Sequence, residues 1–267
     1  MPLVSTGELV SAARAGAVGS PRSTSSLSNT PKPSRPAPSA GAPAILQISE
    51  NAVKFHGGTL GAIAAAAAAV ARASTAPLAL HLDHVESVEL LHQAHTEGFG
   101  SVMFDASKLS YDENVRATAE AVRWGHERGL WIEAELGKVG GKEGEIPSTP
   151  TPPASVPTRR GRRLRRIHRR GRAGRRGRLL ARDDGTHRRP DHALITRLRD
   201  AVPCPLVLHG SSGVPDAEIR RAVAAGMVKI NVGTALNTAF TGAVRDYLDC
   251  NPTGVDPRNT SSRLARR

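Results

Sequence analysis

The chain has 267 residues, of which 39% are hydrophobic, and this is enough for one large domain with a buried core. Its formal net charge of +13 suggests an acidic partner such as nucleic acid, but residues 159–189 hold fifteen Arg and two acidic residues, so the rest of the chain is neutral. An aromatic content of 3% argues against a stacking platform for single-stranded nucleic acid, and two Cys argue against a disulfide framework and fit a reducing cytosol.

The N-terminal residues predict a helix and not a leader sequence. Residues 1–8 lack the basic region and apolar core of a signal peptide, and Ser5 and Glu8 have the spacing of a capping box that opens a helix. The Ala-rich run 60–73 is shorter than the roughly 20 apolar residues of a membrane span, and Arg72 interrupts it. We therefore interpret this run as a buried helix and expect no membrane association.

Six short apolar runs predict strands that are buried on both faces, as in a parallel sheet. They are residues 42–49, 77–83, 101–105, 131–137, 205–210 and 227–233. Helix candidates lie between them at residues 59–74, 87–97, 111–129 and 215–226. The spacing leaves room for two further βα units, one before residue 42 and one between residues 137 and 205. Eight units predict an α/β fold of the (β/α)8 TIM barrel type, and an open doubly wound sheet is the competing architecture.

Both places where a βα unit is missing have an abnormal composition. Residues 19–43 are dominated by Ser and Pro, and residues 147–190 pass from Pro and Thr into the Arg run. Such composition is typical of disordered segments, although long structureless loops are uncommon within a regular βα series. We expect a single domain, residues 1–267, in which these aberrant, disordered low-complexity segments replace strands 1 and 6. Residues 258–267 are expected to form an aberrant tail.

A shifted reading frame is one hypothesis for this composition. With suitable codons, residues 174–184 read one nucleotide on encode Ala-Val-Ala-Val-Gly-Ser-Ser-His-Ala-Met-Thr, a buried strand that ends in a polar turn. Residues 21–34 read two nucleotides on encode a strand that runs into a helix. Both shifts would encode a strand at a position where the series of βα units lacks one. The nucleotide sequence of these codons therefore tests the hypothesis directly.

Polar side chains lie at the ends of four predicted strands, where a barrel gathers its active site. The run that starts at residue 77 ends in His81, Asp83 and His84, and strict alternation places His84 opposite to Asp83 unless the chain has begun to turn. The other runs offer Asp105, Glu133, Glu135 and His209. Buried carboxylates and imidazoles are costly unless they are paired or bind a metal, so their convergence predicts a metal site.

The last two runs predict an anion site. The Gly-Ser turn at residues 210–213 leads into a helix and presents backbone N–H and hydroxyl groups to an anion such as phosphate. Residues 231–234 end the neighbouring strand and would complete this site. Lys229 on the same strand is compatible with a Schiff base, but its expected polar neighbours favour a metal. The histidines at positions 92, 95 and 126 fall within helix candidates and are expected at the surface.

Taken together, these motifs resemble those of the class II, zinc-dependent ketose-bisphosphate aldolases, the fructose- and tagatose-bisphosphate aldolase family. The resemblance is carried by residues 45–49, 81–84, 101–107, 133–137, 208–213 and 229–234. It implies a cytoplasmic lyase of carbohydrate metabolism and glycolysis that uses Zn²⁺. The reaction it implies is reversible aldol cleavage of a ketose 1,6-bisphosphate to dihydroxyacetone phosphate and glyceraldehyde 3-phosphate, by a homodimer or homotetramer.

The resemblance also implies roles for individual residues. Asp83 matches the catalytic proton donor, His84 and His209 match zinc ligands, and Asp105 and Glu135 match carboxylates that some members use for a second metal position. The residues that match the segments holding dihydroxyacetone phosphate are Gly210, Ser211, Ser212, Asn231, Val232, Gly233 and Thr234. The family's third zinc histidine follows strand six, where residues 179–184 read Leu-Leu-Ala-Arg-Asp-Asp. We therefore expect weakened zinc binding in a chain that is inactive or folds poorly.

The alternative interpretation is a nonenzymatic protein that binds nucleic acid through the Arg run on a degenerate barrel. Arg at this density binds phosphate backbones nonspecifically and in a salt-dependent way. Zinc content and cleavage of fructose bisphosphate by the purified protein distinguish the aldolase from this alternative.

Overall fold

A closed barrel of eight strands forms the centre of the protein. The computed structural model describes residues 3–15, 23–26, 43–135, 173–176, 180–182, 188–256 and 259. The strands in chain order are β1 (Ser23–Ser26), β2 (Ala44–Ser49), β3 (Leu78–Val85), β4 (Ser101–Phe104), β5 (Trp131–Glu135), β6 (Ala173–Arg176), β7 (Leu180–Arg182), β8 (Arg188–Pro190), β9 (Leu206–Leu208) and β10 (Met227–Val232). The barrel order is β1-β10-β9-β6-β5-β4-β3-β2, and every neighbouring pair is parallel.

Among the described residues, helices follow the barrel strands β2, β3, β4, β9 and β10, in agreement with the predicted TIM-barrel-like fold. The described helices are α1 (Thr6–Arg14), α2 (Glu50–Phe55), α3 (Leu60–Ala73), α4 (Val88–Thr96), α5 (Tyr111–His126), α6 (His192–Ala201), α7 (Asp216–Ala225) and α8 (Thr234–Cys250). The predicted capping box opens α1, because the Ser5 hydroxyl accepts from the Glu8 amide at 3.2 Å and the Glu8 carboxylate accepts from the Ser5 amide at 3.1 Å.

The expectation that low-complexity segments replace strands 1 and 6 needs correction. Residues 23–26 and 173–176 lie inside those segments, yet they form β1 and β6. Strand β1 pairs with β10 and β2, and β6 pairs with β5 and β9. A sheet ladder requires only backbone N–H and C=O groups, which Ser and Arg supply as well as Val does. The barrel is therefore closed at the two positions where composition had predicted gaps.

Two further strands lie in the segment that was expected to be disordered. Strands β7 and β8 form an antiparallel pair outside the barrel. The other residues of 147–190, His168 and His187 among them, lie outside the described residues. So do most of residues 19–43 and the tail from 257 onwards, except residue 259.

Apolar side chains fill two main clusters between the strands and the helices. One joins β2 to β5 with α2 to α5 and contains Ile48, Leu82 and Ile132, and the other joins β9 and β10 with α6 and α7 around Ile195. The Ala-rich α3, interpreted from the sequence as a buried helix, packs one face into the first cluster and exposes the other face to solvent. In the part of the chain that the structure describes, no helix is long and apolar enough to cross a membrane.

Helix α1 covers the amino-terminal end of the barrel. Leu9 packs against Ile45 near the start of β2, and Val10 packs against Trp131 at the start of β5. The Thr6 hydroxyl reaches inside, 2.6 Å from the hydroxyl of Ser101. The opposite end of the barrel, at the carboxyl ends of the strands, is where a TIM barrel builds its active site.

Candidate active site

The end of β3 brings two successive residues to one site. His84 has a φ of 55°, which is uncommon for a residue other than glycine, and the pairing of β3 with β4 shifts its register between Leu82 and Val85. Strict alternation would point His84 away from Asp83 unless the chain has begun to turn, and the backbone at His84 shows that it has. The irregular backbone brings possible ligand atoms of Asp83, His84 and His209 within 4.8 Å of one another.

A second group of possible metal ligands shares His84. It contains Asp105 from the end of β4 and Glu135 from the end of β5, with ligand atoms again within 4.8 Å of one another. The imidazoles of His84 and His209 stand edge to face, with their centroids 5.6 Å apart. The structure thus gathers all five residues that the resemblance names for proton transfer and metal binding.

The Asp83 carboxylate is buried and is held at one oxygen. Gln47 Nε2 donates to Oδ2 at 2.5 Å, whereas Oδ1 has no hydrogen-bond partner among the described residues and lies 3.6 Å from His81 Nε2. Burial by itself raises the pKa of Asp83, but the charge on His84 and the contact with His81 outweigh it and hold the pKa well below its usual range. Asp83 is therefore ionised at neutral pH and can accept a proton.

Asp105 orients the imidazole of His84. Its Oδ2 lies 3.0 Å from His84 Nδ1, and its Oδ1 accepts from the backbone amide of Ser107 at 3.1 Å. When a carboxylate holds one ring nitrogen of a histidine, the other nitrogen is left to bind a metal. This arrangement makes Nε2 the nitrogen of His84 that could bind a metal.

The sequence placed Glu133 among the carboxylates of a metal site and made Lys229 a candidate for a Schiff base, but it did not predict that these two buried residues pair. Glu133 Oε1 lies 2.6 Å from His209 Nε2, and Glu133 Oε2 accepts from Lys229 Nζ at 2.8 Å. Burial by itself raises the pKa of Glu133, but Lys229 and then His209 lower it far below its usual range. The charged ammonium of Lys229 is bound to this carboxylate, which does not favour a Schiff base. A lysine within the apolar run 227–232 was the sequence signal for a buried ion pair.

The two predicted phosphate segments lie side by side. The Ser211 hydroxyl donates to the backbone carbonyl of Asn231 at 2.6 Å, and Ser212 Oγ accepts from the amide of Ala235 in the first turn of α8 at 3.0 Å. Gly210 has a φ of 69°, a left-handed conformation that glycine adopts readily. Gly233 and Thr234 form the start of α8, next to this turn. The Asn231 side chain, in contrast, lies against the His209 ring, with Nδ2 2.7 Å from Nε2.

The helix histidines lie away from this site. His92 and His95 are exposed, and His92 stacks on Trp124 with ring centroids 4.2 Å apart, whereas His126 is half-buried. The surface prediction is confirmed for His92 and His95.

Known proteins are similar in sequence to this chain over most of its length. The family model described as "Fructose-bisphosphate aldolase class-II" matches residues 4–165 and 180–267. A fructose-bisphosphate aldolase of Geobacillus stearothermophilus is 36% identical over 220 residues, which cover 81% of this chain and 75% of that protein. A fructose-bisphosphate aldolase of Streptococcus pyogenes serotype M1 is 34% identical over 266 residues, which cover 92% of this chain and 84% of that protein.

Solved structures share the fold. The YdjI aldolase of Escherichia coli K12 superimposes with a TM-score of 0.73 at 27% identity, covering 92% of this chain and 88% of that chain. A putative fructose-1,6-bisphosphate aldolase of Coccidioides immitis gives a TM-score of 0.75 at 22% identity, covering 98% of this chain and 89% of that chain, and supports the barrel fold alone. The family match spans most of the chain, and this chain belongs to the class II fructose-bisphosphate aldolase family.

Proposed function

We propose that this chain catalyses reversible aldol cleavage of a ketose 1,6-bisphosphate, fructose or tagatose, to dihydroxyacetone phosphate and glyceraldehyde 3-phosphate, with Zn²⁺ held by His84 and His209. The observation that carries the proposal is the cluster of a buried, ionised Asp83 with these two imidazoles, within 4.8 Å. Family membership supports the reaction class, because class II aldolases are generally zinc-dependent lyases.

The residues present fit a divalent metal. Two imidazoles with a nearby carboxylate are a donor set found in catalytic zinc sites, and the unbonded Oδ1 of buried Asp83 favours a cation close by. Asp105 and Glu135 would serve a second metal position that shares His84. When bound, zinc would supply Lewis-acid polarisation of the substrate ketone. The motif at residues 179–184 contains no histidine, so we expect weaker zinc binding than in a site with three imidazoles.

Asp83 is proposed to carry the proton. Its lowered pKa makes it a carboxylate in the resting protein, so in the cleavage direction it accepts the proton of the substrate hydroxyl. In the condensation direction the same group donates that proton to the aldehyde oxygen. Gln47 donates to Oδ2 and holds the carboxylate in place.

The phosphate of dihydroxyacetone phosphate is proposed to bind between the Gly-Ser turn and the start of α8. The turn contributes Gly210, Ser211 and Ser212, and the strand end and helix start contribute residues 231–234. The 17-residue α8 has the positive end of its dipole at this point, which favours a bound anion. These groups would hold the substrate while the carbon–carbon bond breaks.

Zinc content and cleavage activity of the purified chain test the proposal. The protein is titrated with zinc, and release of dihydroxyacetone phosphate from fructose 1,6-bisphosphate and tagatose 1,6-bisphosphate is measured. We expect turnover that requires zinc and is lost in His84→Ala and His209→Ala, whereas exposed His95→Ala keeps it. A folded chain that binds no zinc and cleaves neither sugar would contradict the proposal and agree with the expectation of an inactive chain.

We further propose a cytoplasmic homo-oligomer that acts on a small sugar phosphate. The comparisons do not support the alternative of a nonenzymatic nucleic-acid-binding protein, because the matches are to aldolases across most of the chain. We propose that residues 1–267 make up one barrel domain and that nucleic acid binds the Arg run nonspecifically.

A further inference from the structure

Glu133 lies at the centre of a polar network that crosses the inside of the barrel. It projects from β5, whereas Lys229 projects from β10 and His209 follows β9, and all three side chains are buried. One carboxylate oxygen contacts His209 at 2.6 Å and the other accepts from Lys229 at 2.8 Å. The carboxylate therefore bridges a proposed metal ligand and a fixed cation.

A chain of contacts that begins at helix α1 holds the side chain of Lys229 in position. Its Nζ lies 3.4 Å from His81 Nε2, and His81 Nδ1 lies 2.7 Å from the hydroxyl of Ser101. Ser101 in turn contacts Thr6 of helix α1 at 2.6 Å. The ammonium can thus hold Glu133 in place without access to solvent.

The contact with Glu133 determines the tautomer of His209. A carboxylate can only accept, so the bond requires a proton on His209 Nε2 and leaves the lone pair on Nδ1. Asn231 Nδ2 also lies 2.7 Å from Nε2 and 3.2 Å from Nδ1. A protonated Nε2 cannot accept from this amide, and the charge-assisted bond to Glu133 is the stronger of the two.

We propose that Glu133 is a positioning residue that fixes His209 as the Nε2–H tautomer, so that Nδ1 binds the metal, and that Lys229 holds Glu133 for this purpose. The inference rests on the proposed function, because it takes His209 as a metal ligand. Carboxylates that orient metal-binding histidines change metal affinity by about 10- to 100-fold when they are removed.

The test uses two double variants, since removal of one charge alone would leave the other buried and unpaired. Glu133→Leu with Lys229→Met removes both charges and the acceptor, whereas Glu133→Gln with Lys229→Met keeps an acceptor oxygen of similar shape. A matched control exists at Glu218, whose carboxylate contacts His192 Nε2 at 2.8 Å and Arg221 at 2.8 Å outside the site. The control variant is Glu218→Leu with Arg221→Met.

Two measurements are made on the full chain. Competition with a chromophoric chelator gives zinc affinity, and long-range ¹H–¹⁵N spectra of the metal-free protein give the tautomer of His209. We expect the Nε2–H tautomer in the wild type, a loss of zinc affinity of about 10- to 100-fold in the Leu/Met variant, and a smaller loss in the Gln/Met variant. The Glu218 control is expected to bind zinc as the wild type does.

The outcomes separate this inference from the proposed function. A wild-type protein that binds no zinc contradicts the proposed function. A wild type that binds zinc but has the proton of His209 on Nδ1, or a Leu/Met variant with unchanged zinc affinity, overturns the inference. If the Leu/Met variant fails to fold, unchanged affinity in the Gln/Met variant together with the Nδ1–H tautomer overturns it, and weakened affinity with the Nε2–H tautomer supports it.

Discussion

Gly125→Ala and Gly242→Ala are two chemically identical changes in helices for which the structure predicts opposite effects. Gly125 lies near the end of α5, where a Cβ atom would stand 2.6 Å from Ile132 Cδ1 and 2.7 Å from Ile132 Cγ1. Gly242 lies in the middle of α8, where a Cβ atom would meet no heavy atom within 4 Å. Ile132 is completely buried, so it cannot swing into solvent to make room.

The magnitude follows from two contributions to the free energy of unfolding. Replacing glycine by alanine inside a helix stabilises it by about 0.8–1 kcal/mol, and this gain is largest at Gly242. Forcing an extra methyl group into a packed core destabilises it by about 1–3 kcal/mol, and only Gly125 meets this penalty. We expect Gly242→Ala to be more stable than the wild type, and Gly125→Ala to be less stable than Gly242→Ala by about 1–3 kcal/mol.

Urea unfolding of the metal-free protein, followed by far-UV circular dichroism, measures both free energies. Ile132 precedes Glu133 on β5, so a shift of this strand should also weaken zinc binding in Gly125→Ala and leave it unchanged in Gly242→Ala. If Gly125→Ala proved as stable as Gly242→Ala, the close packing of α5 on β5 would be refuted.

Three further predictions concern the site. Asp83→Asn, assayed with saturating zinc, should lower cleavage by about 10²- to 10⁴-fold, because it removes the proton carrier; cleavage at the wild-type rate would contradict this. Removing zinc with a chelator should abolish cleavage and lower the thermal unfolding midpoint, with both restored by added zinc at about 100 times its Kd. The metal-free protein should lose stability in urea as the pH falls. Burial and then Lys229 lower the pKa of His81 from 6.5, and Lys229 and His209 lower that of Glu133 from 4.5, so the unfolded chain binds more protons. The loss should begin near pH 6.5 and steepen below pH 4.5; constant stability would contradict it.

Local sequence patterns predicted the strands whose side chains are buried, because burial requires apolar residues. The six apolar runs become six barrel strands, and the capping box opens α1. Strands β1 and β6 were not predicted, because their sequences show no apolar pattern. These sequences are Ser-Thr-Ser-Ser and Ala-Gly-Arg-Arg. Their neighbours β2, β5, β9 and β10 supply the pairing partners, and this information is not local to either segment.

The site shows the same division between local and long-range information. The residue types and strand ends pointed to His84, His209 and Asp83, but the residue pattern left open the side of the strand on which His84 lies, because a single left-handed residue and a register shift are not visible in it. The pairing of Glu133 with Lys229 joins residues that are 96 positions apart. Only the closed barrel brings them together.

The chain has a net charge of +13, but the buried groups at the proposed site are mainly negative. Four carboxylates at the carboxyl end of the barrel, Asp83, Asp105, Glu133 and Glu135, are each at most 4% exposed. Lys229 bonds to one of them, and the lowered pKa of His81 keeps that imidazole neutral at pH 7. Burying several negative charges together is costly unless a cation joins them. A divalent metal between the two histidines would supply that charge, which is why we assign the function to this buried acidic cluster and not to the Arg run.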